Sequence, residues 1–285
     1  MNSVENRHPD EGKTTGAPHE DLYIYYLRGR MKQNHGIAGC NFLGAWEEDG
    51  FSFLFFSKPS HEKVDAILRF QPQLTLLDKY HIPYSDWHGE KIAPFKSGGF
   101  LISPPWEKTD SKKQALHITL DPGVVFGTGI HPTTKDCLEA LEMVFGENRI
   151  ESAIDLGTGT GLLSLAAARL GCKRTLAVDI NFLAARTAMK NILLNGMENK
   201  ILAVQGRAEE FIDCHSDLVI ANIHYDVMKY LVTSKGFLRK KRFVLSGLFR
   251  SQARDVVYTL SRFPVQIIKN WEGDGIWHTL LGKVC

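Results

Sequence analysis

What this chain of 285 residues lacks narrows it first. Its five cysteines, Cys40, Cys137, Cys172, Cys214 and Cys285, are scattered, odd in number and never arranged as C-x-x-C. That spacing argues against a disulfide framework and against a cysteine zinc site, and no metal is expected. No apolar run approaches the length that crosses a bilayer, and the first twenty residues carry no signal-peptide core, so a cytoplasmic protein without membrane contact is expected. Neither sign of charge dominates: 34 basic against 32 acidic residues give a net +2, too weak a field to favour direct nucleic-acid binding. No internal repeat is visible. What is present is 44% apolar residues, enough for two ordinary domains with cores of their own.

The chain divides by composition. Residues 1–20 are polar and read as a disordered tail. Residues 21–80 hold strand-like runs at 22–27 and 51–56 and a helical spacing at 61–70, and read as a small α+β domain. A Pro- and Gly-rich stretch, 81–121, reads as a linker with short strands at 99–103 and 115–120. From 122 to 285 strand and helix signals alternate, which predicts a mostly parallel sheet covered by helices. The strands fall at 152–156, 175–179, 201–205, 218–222 and 243–248, and a final hairpin turns on Glu272-Gly273-Asp274-Gly275.

The sharpest local pattern is Asp155-Leu156-Gly157-Thr158-Gly159-Thr160-Gly161, between a predicted strand and a predicted helix. Glycines at alternate positions permit backbone angles closed to other residues and let a ligand approach the main chain. A dinucleotide fingerprint, G-x-G-x-x-G, would need glycine at 162, where the chain has Leu162. The spacing instead resembles motif I of class I S-adenosylmethionine-dependent methyltransferases. Asp179 follows Gly157 by 22 residues, at the tip of the next strand, where such folds bind a ribose hydroxyl pair.

Upstream stands Leu120-Asp121-Pro122-Gly123-Val124-Val125-Phe126-Gly127-Thr128-Gly129-Ile130-His131-Pro132-Thr133-Thr134, and downstream Asp217-Leu218-Val219-Ile220-Ala221-Asn222-Ile223. Both resemble the signatures of the ribosomal protein L11 methyltransferase family. So do Ser85-Asp86-Trp87-His88 and Leu101-Ile102-Ser103-Pro104-Pro105-Trp106-Glu107. The resemblance implies a class I methyltransferase Rossmann-like sheet with an antiparallel C-terminal strand and a smaller N-terminal α+β domain. It implies S-adenosylmethionine as cofactor, ribosomal protein L11 as protein substrate, and methyl transfer to lysine or N-terminal amines. Carried over position by position, it implies that Thr134, Asp155, Gly157, Gly159, Gly161, Asp179, Ala208 and Asn222 bind the cofactor, with Asn222 also catalytic.

Each position has a plainer reading beside this one. Thr134 suits a helix N-terminus, Asp179 a helix cap and Asn222 an Asx turn, while Ala208-Glu209 suits an exposed segment. His131, next to Pro132 at a helix start, reads as structural. Where the family usually has Leu and a small residue after Asn222-Ile223, this chain has His224-Tyr225, and the four together resemble the N-P-P-Y box of amino-group methyltransferases. Other acceptors (another protein, a nucleic-acid base, a small amine) and a non-catalytic cofactor-binding homologue stay open.

Overall fold

The computed structural model describes residues 19–32, 41–88, 92–107 and 116–285. The expected tail, 1–20, therefore lies outside the described residues as far as 18, and the strand expected at 115–120 does so at its first residue.

Strands β1 (Asp21–Arg28), β2 (Phe42–Glu48), β3 (Phe51–Phe56) and β4 (Thr75–Pro83) form an antiparallel sheet in the order β2-β3-β1-β4. Alternation along β1 and β3 splits their side chains between two faces. Tyr25, Leu27, Leu54 and Phe56 pack with Val64 and Ile67 of helix α1 (His61–Phe70), while Leu22, Ile24 and Phe55 pack with Val124, Val125, Leu183 and Ala184. The second set joins this sheet to the C-terminal half of the chain. The hydroxyl of Tyr84, in the short helix α2 (Tyr84–Trp87), donates to the Gly123 carbonyl at 2.7 Å, and Trp87 Nε1 donates to that of Val124 at 3.3 Å. β4 pairs with β1 as far as Pro83, past the boundary read at residue 80.

A three-stranded sheet, β5 (Phe95–Ser97), β6 (Phe100–Ser103) and β7 (His117–Thr119), leads into helix α3 (Pro132–Glu147). The remaining strands and α-helices are β8 (Ser152–Leu156), α4 (Leu162–Arg169), β9 (Arg174–Asp179), α5 (Phe182–Leu194), β10 (Ile201–Gln205), α6 (Ala208–Phe211), β11 (Leu218–Asn222), α7 (Tyr225–Leu231), β12 (Arg242–Phe249), α8 (Arg250–Leu260), β13 (Val265–Gly273) and β14 (Trp277–Val284). They build a seven-stranded sheet in the order β10-β9-β8-β11-β12-β14-β13, parallel except for β14, which runs antiparallel to both neighbours. Every residue of β8 is buried, as a strand covered on both faces requires. From β8 the chain winds outward through β9 to β10, then returns to β11 on the other side. The carboxyl ends of β8 and β11 thus flank the point where strand order reverses, which is where open α/β sheets bind ligands.

α4 buries every residue from Leu162 to Ala168. Its run Ala166-Ala167-Ala168 lets the helix lie close to the sheet, and each leucine it buries contributes about 1.5–3 kcal/mol. That packing holds the start of α4, and the loop before it, in one place.

Candidate active site

β8 ends at Leu156, and the next five residues place Gly157, Gly159 and Gly161 at φ of +74°, +56° and +84°. These left-handed angles cost other L-residues about 1–2 kcal/mol each. Space decides the matter as well. A Cβ on Gly157 would lie 2.2 Å from Ile223 Cγ2, one on Gly159 2.8 Å from the Phe126 carbonyl oxygen, and one on Gly161 3.1 Å from Ala188 Cβ. The loop is therefore wedged between the end of β11, the segment leading to Gly127, and α5. Its position is fixed from below by the N–H groups of Gly157 and Thr158, which both donate to the Val178 carbonyl, at 2.8 and 2.9 Å.

Two carboxylates face this loop. Asp155, 1% exposed, accepts hydrogen bonds on Oδ2 from Thr158 Oγ1 at 2.6 Å and Ser164 Oγ at 2.7 Å, whereas its buried Oδ1 has no partner. Burial pushes its pKa up to about 6, against the pull of the two hydroxyls. Asp179, at the end of β9, accepts the Gly159 N–H on Oδ2 and the Asn181 N–H on Oδ1, each at 2.9 Å. Burial raises its pKa too, while those N–H groups oppose the rise. The cap of α5 is Asn181, whose Oδ1 accepts the Leu183 N–H at 2.8 Å, so Asp179 is not spent on that task. Each Asp179 oxygen keeps a lone pair for a hydroxyl donor.

Asn222 ends β11 half-buried, and its Nδ2 donates to Thr133 Oγ1 at 3.2 Å. Thr134 is buried in the first turn of α3, its N–H bonded to the His131 carbonyl at 3.0 Å. Ala208 opens α6, just past β10, whose Gln205 pairs with Asp179. Asp155, the three glycines, Asp179 and Asn222 thus meet at one sheet edge, and Ala208 stands farther along it. Thr134 reaches the group through its neighbour. Thr133 was missed in the sequence because two adjacent threonines behind Pro132 are equivalent until the helix phase is known. Ser164 and Ile223 were missed as well, the first hidden on a helix and the second reading as core.

The residues after Asn222 have tasks in α7. His224 is its N-cap and accepts the Asp226 N–H through Nδ1 at 3.4 Å. The Tyr225 hydroxyl donates to Asp255 Oδ2 of α8 at 2.6 Å, and Lys229 Nζ lies 5.6 Å from its ring centre. Among the described residues no group of three His, Cys, Asp or Glu is placed to hold a metal ion, and no helix is long and apolar enough to cross a membrane.

Residues 65–284 match the profile of the family described as Ribosomal protein L11 methyltransferase (PrmA). The chain belongs to the ribosomal protein L11 methyltransferase family. It is 34% identical over 238 residues to the ribosomal protein L11 methyltransferase of Staphylococcus carnosus, an alignment covering 79% of this chain and 75% of that one. It is 35% identical over 189 residues to that of Halalkalibacterium halodurans, covering 66% of this chain and only 59% of its relative. A crystal structure of ribosomal protein L11 methylase from Lactobacillus delbrueckii subsp. bulgaricus superimposes with a TM-score of 0.58 at 27% identity, over 67% of this chain and 98% of that one. The fold is accordingly that of the class I methyltransferases.

Proposed function

We propose that this family member transfers methyl groups from S-adenosylmethionine to amine nitrogens of ribosomal protein L11, on lysine side chains or at the N-terminus. The observation that carries the reading is Asn222, an uncharged amide at the end of β11, beside a glycine loop shaped for a ligand. The loop residues suit the cofactor. Asp179 offers two acceptor oxygens to a ribose diol, Asp155 holds an unpaired carboxylate oxygen beneath the loop, and Gly157, Gly159 and Gly161 let the chain turn tightly at the end of β8. Thr134 and Ala208 complete the proposed set. Bound there, S-adenosylmethionine supplies a methyl carbon made electrophilic by its sulfonium.

The protein then has two tasks, to present an uncharged amine and to aim it. Removing the proton from a lysine ammonium at pH 7 costs about 4–5 kcal/mol. A carboxylate at position 222 would raise that cost by pairing with the ammonium; the amide does not. Its Oδ1 accepts one N–H of the amine and directs the lone pair, and holding reactants in line to within about 1 Å contributes on the order of a hundredfold in rate. We assign substrate recognition to residues 21–80, a linking role to 81–121, and cofactor binding to 122–285. We assign the reaction to the cytoplasm on the strength of the proposed ribosomal-protein substrate, which is the one in the relatives' names.

The test is labelled methyl transfer to ribosomal proteins from cells lacking this gene, alongside cofactor binding by calorimetry. Label should enter L11, and Asn222→Ala should lower turnover about a hundredfold, well beyond any loss of cofactor affinity. Full turnover in Asn222→Ala would remove the assigned role, and label in RNA or DNA instead would reassign the acceptor.

A further inference from the structure

Thr133 and His131 carry none of the roles proposed for the cofactor site, yet they join Asn222 in one chain of hydrogen bonds. His131 is the N-cap of α3, where its Nδ1 accepts the Thr133 N–H at 3.4 Å and lies 2.8 Å from Thr133 Oγ1. A ring nitrogen that accepts a backbone N–H carries a lone pair, so the Thr133 hydroxyl donates to it. Thr133 Oγ1, its proton committed, is left as an acceptor, and Asn222 Nδ2 donates to it at 3.2 Å. The opposite amide orientation would set Oδ1 against Thr133 Oγ1, two acceptors with no proton between them.

The other side of the amide is shaped to match. Gly247 of β12 has φ of +82°, at an irregularity in the pairing with β14, and a Cβ there would sit 3.0 Å from Asn222 Oδ1. A side chain at 247 would cover the oxygen that glycine leaves approachable. His131 is itself held between the rings of Phe126 and Trp277, with centroids 5.6 and 5.2 Å away. Burial lowers its pKa, in keeping with a neutral ring whose Nε2 carries the proton.

We propose that Thr133 and His131 are positioning residues, a relay from the cap of α3 that fixes the Asn222 amide with Nδ2 bonded and Oδ1 free to orient the acceptor amine. This rests on the proposed role of Asn222 in aiming the amine, and predicts that the hydroxyl at 133 acts on turnover rather than on cofactor binding.

Thr133→Val removes the hydroxyl at constant shape, Thr133→Ala removes it without a branched side chain, and Thr133→Ser restores it. In the full chain, with labelled transfer to ribosomal proteins from a strain lacking the gene, both hydroxyl-free variants should lose about 10- to 100-fold in kcat. Their S-adenosylmethionine Kd, by calorimetry, should stay within about threefold, and Thr133→Ser should recover most of kcat. Unchanged kcat in Thr133→Val and Thr133→Ala, with Asn222→Ala inactive, would overturn the relay while leaving the role of Asn222 standing. Equal losses in the serine and valine variants, or a loss of cofactor affinity matching the loss of turnover, would also overturn it. Full turnover in Asn222→Ala would remove the reading beneath it.

Discussion

The two edges of the seven-stranded sheet treat their buried carboxylates in opposite ways. At the amino-terminal edge Asp217, just before β11, is fully engaged. Its Oδ2 accepts the N–H groups of Glu151 and Ser152 at 2.9 and 3.2 Å, and its Oδ1 pairs with Lys241 Nζ at 2.7 Å. Burial alone would raise its pKa, but the ammonium and the two N–H groups outweigh it and hold the group below the ordinary aspartate value. At the carboxyl-terminal edge Asp155 and Asp179 bond to hydroxyl and N–H groups rather than to a cation, Asp155 keeps an unpaired oxygen, and burial raises both. Spaces of about 470 and 530 Å³ lie around Arg149 and Lys241, at the edge whose acid is already satisfied. The lower edge uses its charge to hold strands together, and the upper edge keeps acceptor capacity unspent, as the proposed cofactor site would require.

The largest effect should come from closing the upper edge sterically. Gly157→Ala combines a left-handed backbone with a Cβ 2.2 Å from Ile223 Cγ2. Strain of about 1–2 kcal/mol and overpacking of about 1–3 kcal/mol should lower the melting temperature and cut S-adenosylmethionine affinity at least tenfold. Calorimetry showing unaltered affinity would mean that the loop does not meet the ligand.

Next in size is Asp155→Asn, which should separate stability from binding. An aspartate of pKa about 6 in the folded chain and about 3.9 unfolded takes up its proton on the folded side first. The folded state is therefore favoured progressively as pH falls from about 6 toward 4, and the ionised group costs stability at pH 7. An amide at position 155 carries no charge to bury and can still accept from the Thr158 or Ser164 hydroxyl. The protein without ligand should gain on the order of 1–2 kcal/mol at pH 7, and lose part of its stabilisation between pH 6 and 4, while cofactor affinity falls about tenfold. Denaturant unfolding across pH, paired with calorimetry, reads both; a less stable variant at pH 7 would place Asp155 with Asp217 as a structural acid.

Much of this edge was legible in the sequence because glycine spacing, strand order and a strand-ending acid are local signals. The parallel sheet is legible in the alternation of strands and helices, the final hairpin in its Glu272–Gly275 turn, and the antiparallel last strand in the family resemblance. β2 and β4 are not: Gly44, Glu47 and Glu48 interrupt the apolar pattern of the first, and the second is an edge strand exposed along most of its length, with nothing to bury in alternation. Within the site, the choice between cap and ligand for Asp179 turned on Asn181, one turn residue away, and the partner of Asn222 turned on the helix phase of α3. His224-Tyr225, which resemble an acceptor box, also cap α7 and tie it to α8. Such choices depend on which side chain meets which across the fold, and no spacing along the chain encodes them.

The smallest effect, and the one that makes the comparison a controlled one, should come from Asp217→Asn. The amide can still accept the Glu151 and Ser152 N–H groups, but it offers no charge to Lys241, whose side chain is 67% exposed and can turn to water. The loss should be only about 1–2 kcal/mol, that of weakened charge-assisted bonds at a half-solvated pair. Its pH dependence has the opposite sign to that of Asp155. A carboxylate held below its unfolded pKa contributes fully above about pH 4 and loses that contribution as pH falls through its folded value. Wild type and Asp217→Asn should therefore differ in unfolding free energy at pH 7 and converge in acid, with S-adenosylmethionine affinity and turnover per folded molecule unchanged. A drop in affinity comparable to that of Asp155→Asn would show that the two edges are coupled through β8 and β11, and the division of labour between them would not hold.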